Sequence, residues 1–180
     1  MKWRLEHYRT VDHVSLTENG FLPNNARLPL LKYNTAVQPD DRDPASAFER
    51  RFHGNRWVQS WRNGVYGMHH YHSTAHEVLG VYAGEAVVQF GGEGGPEVSV
   101  QAGDVVVIPA GVAHKRIRSS GDFGVVGAYP EGQVYDMCYG RVDERPRADQ
   151  NIARVPGPPT DPVYGESGPL LELWAQGRSV

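Results

Sequence analysis

Between Gly64 and Tyr129 the chain reads as one short apolar run after another, each bounded by turn residues, and this pattern predicts strand after strand. His70-Tyr71-His72 belongs to the first strand. Glu77–Tyr82 follows after a turn at 73–76, and Ala86–Phe90 is expected to pair back on it after the Gly84 turn. Gly91-Gly92-Glu93-Gly94-Gly95-Pro96 is too rich in glycine for regular structure and reads as a hairpin loop. Glu97–Gln101, Val105–Ile108, His114–Arg118 and Phe123–Tyr129 supply the remaining strands of this stretch. Upstream, Trp3–Tyr8 is expected to form a strand, Pro23-Asn24-Asn25 a turn, and Leu28–Tyr33 a strand that begins at Pro29 or lies on a sheet edge. Ala45, Phe48 and Phe52 recur at helical spacing behind Asp43 as N-cap and Pro44 at the first helical position, with Gly54 as a stop. This predicts one helix over 44–53. Trp57–Trp61 is a short strand or turn.

Beyond Pro130 the pattern changes. Glu131–Cys138 reads as a short turn or helix, and the prolines between Val155 and Pro162 exclude a central strand or a helix interior. An extended tail is expected, docked on the strands through Tyr164, Leu170, Leu171, Leu173 and Trp174. No internal repeat is evident. The expectation is one domain over 1–180, with an arm at 1–43 and a wrapping segment at 131–180.

Composition narrows this to an all-β class. Hydrophobic residues make up 39% of the 180 residues, while 21 glycines and 13 prolines imply many turns. The net charge of -3 offers no electrostatic footprint for nucleic acid. A lone cysteine cannot form an internal disulfide and points to a reducing, cytoplasmic setting. Met1–Glu6 lacks the apolar stretch of a secretory signal, and no run is long and apolar enough for a membrane span.

Candidate chemistry concentrates around Gly64–Gly84, which holds His69, His70, His72 and His76. Alternate side chains of a strand share a face, so His70 and His72 point the same way and Tyr71 the other. Glu77, on the following strand, can lie beside them. Two imidazoles and a carboxylate on one face suit divalent iron, manganese, nickel or zinc. If the strand 105–108 pairs across from this unit, His114 completes a set of three nitrogens and one oxygen, with positions left open for substrate.

These residues resemble a family. Gly64, His70, His72, Glu77 and Gly84 match the spacing of the first cupin motif without a gap, and Gly103, Pro109, Gly111 and His114 match the second. The resemblance covers Gly64 to about Arg118. It implies a double-stranded β-helix, or jelly roll, with one metal at its centre. One position departs: the second motif usually ends in Asn, and Arg118 stands there. The wording of PNNARLPLL and HHYHSTAHEVLGVY is also similar to uncharacterised bacterial single-domain cupins, which adds no known reaction. The glycine-rich loop at 91–96 lacks the Lys-Ser/Thr ending and following helix of a phosphate cradle.

Four further residues are pocket candidates. Arg116 and Arg118 alternate with His114 and either bind a substrate carboxylate or phosphate or are solvated. Tyr66 and Tyr129 line the pocket mouth or pack as core tyrosines. His69 should face away from His70, and His76 should belong to the turn, with a role behind the metal ligands as the weaker alternative. His7, His13 and His53 receive no role. Cys138 reads as a small core residue, and Asp104 as a support for the turn before its strand. Gln59, Trp61, Gln133 and Asp136 are left unplaced. The function expected is a metal-dependent enzyme acting on a small oxygen-rich acid or sugar-like molecule, by oxygenation, decarboxylation or isomerisation. No general base is identified. The alternative is a non-catalytic module that binds a metal or small ligand. A homodimer is expected, with the Leu28–Tyr33 arm either exchanged between subunits or lying on the edge of its own.

Overall fold

The computed structural model describes residues 11–177, so the strand expected at Trp3–Tyr8 and His7 lie outside the described residues. Among the described residues, nine strands form two antiparallel sheets. The larger has the order β1 (Val11–Leu16), β2 (Asn25–Tyr33), β7 (Val105–Ile108), β4 (Glu77–Ala83), β9 (Gly124–Pro130), β3 (Trp57–Asn63). The smaller has the order β6 (Glu97–Gln101), β5 (Glu85–Phe90), β8 (His114–Ser119). Leu79, Val106 and Val125 of the larger sheet share one apolar cluster with Val88, Phe90 and Val100 of the smaller. This is a jelly-roll sandwich.

The central strands of the larger sheet are buried on both faces, which explains runs such as Val105-Val106-Val107-Ile108 with no polar alternation. Val106 and Ile108 face the smaller sheet. Val105 and Val107 face a second cluster built with Phe48, Phe52, Leu170 and Trp174. Helix α1 (Pro44–Gly54) supplies the two phenylalanines and lies so close to β4 that a Cβ on Gly80 would stand 2.2 Å from the Phe48 ring. Fully burying each ring is worth about 1.5–3 kcal/mol.

The helix over 44–53 forms, but not with the expected cap. The Asp43 carboxylate makes no capping bond and instead accepts two hydrogen bonds from Arg62, at 2.8 and 2.9 Å. Two longer-range expectations are corrected. Ala86–Phe90 does not pair back on Glu77–Tyr82. Both sides of β4 are taken, by β7 and β9, so β5 must cross at Gly84 (φ +68) to the other sheet, where it joins β6 and β8. The Leu28–Tyr33 segment is not an edge strand either, because β1 and β7 bond it on its two sides. Pro29 is tolerated because it falls in a register break against β1 and beyond the residues paired with β7.

The C-terminal segment docks as expected but is not simply extended. It contains α2 (Arg147–Arg154) and α3 (Pro169–Gln176), and α3 buries Leu170 and Trp174 against the larger sheet. The Trp174 indole donates to the Pro29 carbonyl at 2.9 Å. Asp161 anchors the same segment, accepting from the Tyr33 hydroxyl at 2.6 Å and from the amides of Val163, Tyr164 and Leu170. Among the described residues, no helix is long and apolar enough to cross a membrane.

Candidate metal centre

His70-Tyr71-His72 is not part of a regular strand. It is a short extended piece held by isolated backbone bridges, His70 to His114 and Tyr71 to Cys138. Extended geometry alone keeps the alternation, so His70 and His72 face one side. Tyr71 turns into a small cluster with Ala113, Cys138 and Ala148, and its hydroxyl donates to Glu144 at 3.1 Å. Glu77 opens β4 opposite Ile108, on the face that looks into the sandwich, and His114 opens β8 opposite Phe90. All four side chains are buried.

A nitrogen from each of His70, His72 and His114 lies within 4.8 Å of the others, so these three residues can hold a metal ion. Each imidazole is oriented by a backbone carbonyl facing its Nδ1: Met68 O at 3.0 Å for His70, Asp136 O at 2.5 Å for His72 and Val112 O at 3.1 Å for His114. A carbonyl only accepts, so each Nδ1 carries a proton, and each ring in its neutral form presents the Nε2 lone pair. Glu77 Oε2 lies 3.3 Å from His72 Nε2 and 3.4 Å from His114 Nε2, yet has no hydrogen-bond partner. Its other oxygen accepts from the Tyr129 hydroxyl at 3.3 Å, and the Trp61 indole donates to that hydroxyl at 2.8 Å.

The charges agree with this arrangement. Burial alone would raise the Glu77 carboxyl, but His72 and His114 beside it hold it well below the usual carboxylate range. Burial likewise opposes charge on His72, and Glu77 outweighs it, raising the imidazole above its ordinary value, so a proton on its Nε2 and a bound cation compete for the same carboxylate. His70 is pushed down to about 3, chiefly by burial and then by His114. The centre therefore holds a buried carboxylate that needs positive charge next to it. A divalent ion fits this donor set. Ligand atoms about 2.1 Å from one ion, at angles of 90–110°, lie about 3.0–3.4 Å apart, the spacing seen between Glu77 and the two imidazoles.

A cavity of about 540 Å³ opens over the centre. Its walls include Trp61, Tyr66, Tyr129, Tyr135, Met137 and Tyr139.

Residues 57–124 match the family model described as a cupin domain. Over 88% of its length the chain is 45% identical to an uncharacterised protein, YjlB, of Bacillus subtilis strain 168, of which it covers 93%. The chain belongs to the cupin family. Among solved structures it is similar to RmlC from Streptococcus suis in complex with dTDP-D-xylose, with 13% identity, coverage of 92% of this chain and 94% of that one, and a TM-score of 0.39. It is also similar to the dTDP-6-deoxy-D-glucose-3,5-epimerase RmlC from Legionella pneumophila Philadelphia 1, with 20% identity, coverage of 67% and 72%, and a TM-score of 0.36.

The other residues singled out in this cupin divide clearly. Tyr66 and Tyr129 line the cavity, Tyr66 at the mouth and Tyr129 inside. Arg116 and Arg118 do not line it. β8 stays paired with β5 as far as Ser119, but it lies at the edge of the smaller sheet, its register shifts between Arg116 and Arg118, and both arginines are exposed. His76 does belong to the turn before β4, but it is not solvated there. It is buried under Trp174, ring centroids 4.7 Å apart, and its Nδ1 accepts the Ala110 amide at 2.9 Å. It therefore braces the loop before β8 rather than a metal ligand. His69 is half-buried with Nε2 3.3 Å from Glu93, while His13 and His53 are exposed. Cys138 is a core thiol, pushed up to about 11 by burial and by Asp136. Asp104 accepts from the Thr35 and Gln101 amides, as expected of a turn support.

Sequence reasoning missed the segment 133–139. Asp136 clamps the histidine turn. Its carboxylate accepts from the Ser73 amide and hydroxyl and the Thr74 amide, while its own carbonyl orients His72. Gln133 accepts the His76 amide at 3.0 Å and donates to Pro156 O at 2.8 Å. Tyr135 stacks on Tyr129, centroids 4.7 Å apart and 15° from parallel. The segment has no periodicity, so only its polar and aromatic richness marked it.

Proposed function

We propose that this cupin binds one divalent metal ion through His70, His72, Glu77 and His114 and acts as a metal-dependent enzyme on a small oxygen-rich acid or sugar-like molecule. One observation carries the reading. A buried, ionised carboxylate oxygen without a hydrogen bond faces imidazole nitrogens whose protons are committed on the opposite side of their rings. With the three rings neutral, four acceptors meet without a donor and call for a cation. An ion bound there would supply Lewis-acid polarisation of a substrate oxygen or activation of dioxygen, which suits oxygenation, decarboxylation or isomerisation. The chain's own residues do the rest. Tyr129 engages Glu77 Oε1 and leaves Oε2 for the ion, and the aromatic wall restricts water. Iron, manganese, nickel and zinc all accept this donor set. Elemental analysis of protein purified without added metal tests the reading. About one divalent ion per chain supports it, and none at any loading overturns it.

The second reading is a small-ligand or metal-holding module without turnover. It is favoured by the absence, in the described cavity lining, of a carboxylate or imidazole other than the four ligands. Dioxygen uptake by the iron-loaded protein with a panel of small acids separates the two. We propose further that residues 1–180 form one domain, supported by the docking of α3 on the larger sheet, and that the cupin works as a homodimer through its open sheet edges. A sedimentation mass near 20.0 kDa at micromolar concentration counts against the dimer. The single free thiol, Cys138, fits a cytoplasmic setting.

A further inference from the structure

The walls of the cavity and the charges around it say more about the ligand than the four-residue centre does. Tyr135 is half-exposed and stands edge-on to His72, ring centroids 5.2 Å apart and 72° between planes. Its stacked partner Tyr129 lies behind it, also edge-on to His72. Across the imidazoles, Tyr66 stands edge-on to His70 at 5.2 Å and is exposed at the mouth. Met68 and Met137 add polarisable thioethers to the same walls. Flat aromatic faces and thioether sulfur suit a flat ring.

Positive charge is scarce. Arg62 is the lining cation, and it is spent: four hydrogen bonds tie it to Asp43 and Glu49, at 2.7–2.9 Å. Two carboxylates on one guanidinium leave that corner net negative. Arg141 lies over the Tyr139 ring at 5.1 Å and is not in the lining. Arg116 is outside the lining as well, with its guanidinium beside Gly64 at the rim. A divalent ion held by three neutral imidazoles and one carboxylate carries one net positive unit. A doubly charged phosphate would find one unit of attraction at the centre, with Glu77 already counted, and repulsion from the net negative corner of Arg62, Asp43 and Glu49.

Resting on the metal-centred reading, we infer that the ligand of this cavity is a flat aromatic or conjugated molecule with at most one negative charge. Its oxygens face the metal, and its ring lies against the Tyr135 and Tyr66 walls. Phosphorylated sugars and nucleotides are disfavoured by charge, and small aliphatic hydroxy acids bind more weakly because they leave the aromatic walls uncovered.

Titration calorimetry on protein of measured metal content tests this with three probes. Salicylate is a flat monoanion with adjacent oxygens, glycolate a small aliphatic one, and glucose 6-phosphate a charged sugar. Salicylate is expected to bind at least tenfold more tightly than glycolate, and glucose 6-phosphate not to saturate. Tyr135→Ala is expected to cut salicylate affinity about fivefold or more and leave glycolate unchanged. Equal affinity for salicylate and glycolate, no effect of Tyr135→Ala, or saturable glucose 6-phosphate binding that Arg116→Ala abolishes each overturns the inference while the metal centre stands. Salicylate binding that survives metal removal but still depends on Tyr135 overturns the metal-centred reading and keeps the aromatic slot.

Discussion

His72 and His76 are four residues apart, both buried, and do opposite work. His72 has its Nδ1 on the Asp136 carbonyl and turns Nε2 toward Glu77 and the cavity. His76 turns its Nδ1 to the Ala110 amide and packs its ring beneath Trp174, on the closed side of the larger sheet. The difference lies in which nitrogen has an amide or a carbonyl for a neighbour, since that decides where the remaining lone pair points. Burial alone does not mark a ligand. A buried imidazole becomes one when its backbone partner is an acceptor and its free nitrogen meets other acceptors.

The comparison can be broken most directly by mutation. His72→Ala should lower metal affinity by more than the roughly 10–100-fold that follows loss of a supporting group. His76→Ala should keep one metal per chain but cost about 2–4 kcal/mol, because it opens a space under Trp174 and orphans the Ala110 amide. Metal content and chemical denaturation of both variants decide the matter, and identical behaviour of the two would sink the assignment. Metal removal comes next. An ion present at a hundred times its dissociation constant adds about 2.7 kcal/mol. At about 2–4 °C per kcal/mol for a chain of this size, stripping with a chelator should lower the melting temperature by about 5–10 °C. The His72→Ala variant should show no such drop.

A finer test concerns the support behind His72. Asp136→Ala removes the acceptor of the Ser73 and Thr74 amides and loosens the carbonyl that orients the ring. Metal affinity should fall about tenfold, read by competition with a chromogenic chelator, while Tyr71 and the rest of the sandwich keep their packing. The smallest effect is expected at Arg118→Ala. Its side chain is exposed and outside the cavity lining, so stability should stay within about 0.5 kcal/mol of the parent and metal content should not change.

The sequence by itself determined the strands from Leu28 onward, the helix at Pro44–Gly54 and the three histidines that meet, with Glu77 beside two of them, but not β1, which falls where a loop was expected. Period-two alternation survives even where His70-Tyr71-His72 forms bridges rather than a strand. What only the tertiary structure decided was non-local. Pairing partners depend on which strand edges are already occupied, and this sent β5 to the second sheet and put β2 between two neighbours. The α3 segment becomes a helix on a sheet face that Leu170 and Trp174 cover together, a surface that does not exist until distant strands assemble. The walls of the cavity followed the same logic. Asp136 and Tyr135 sit in an aperiodic loop with no pattern to read, and they reach His72 only because the Tyr71 and Cys138 backbones bridge. By residue count Arg116 and Arg118 have the parity of His114, yet β8 is the edge strand of the smaller sheet and a register shift falls between the two arginines, so parity placed them correctly on a strand and told nothing of its bulge or its exposed position.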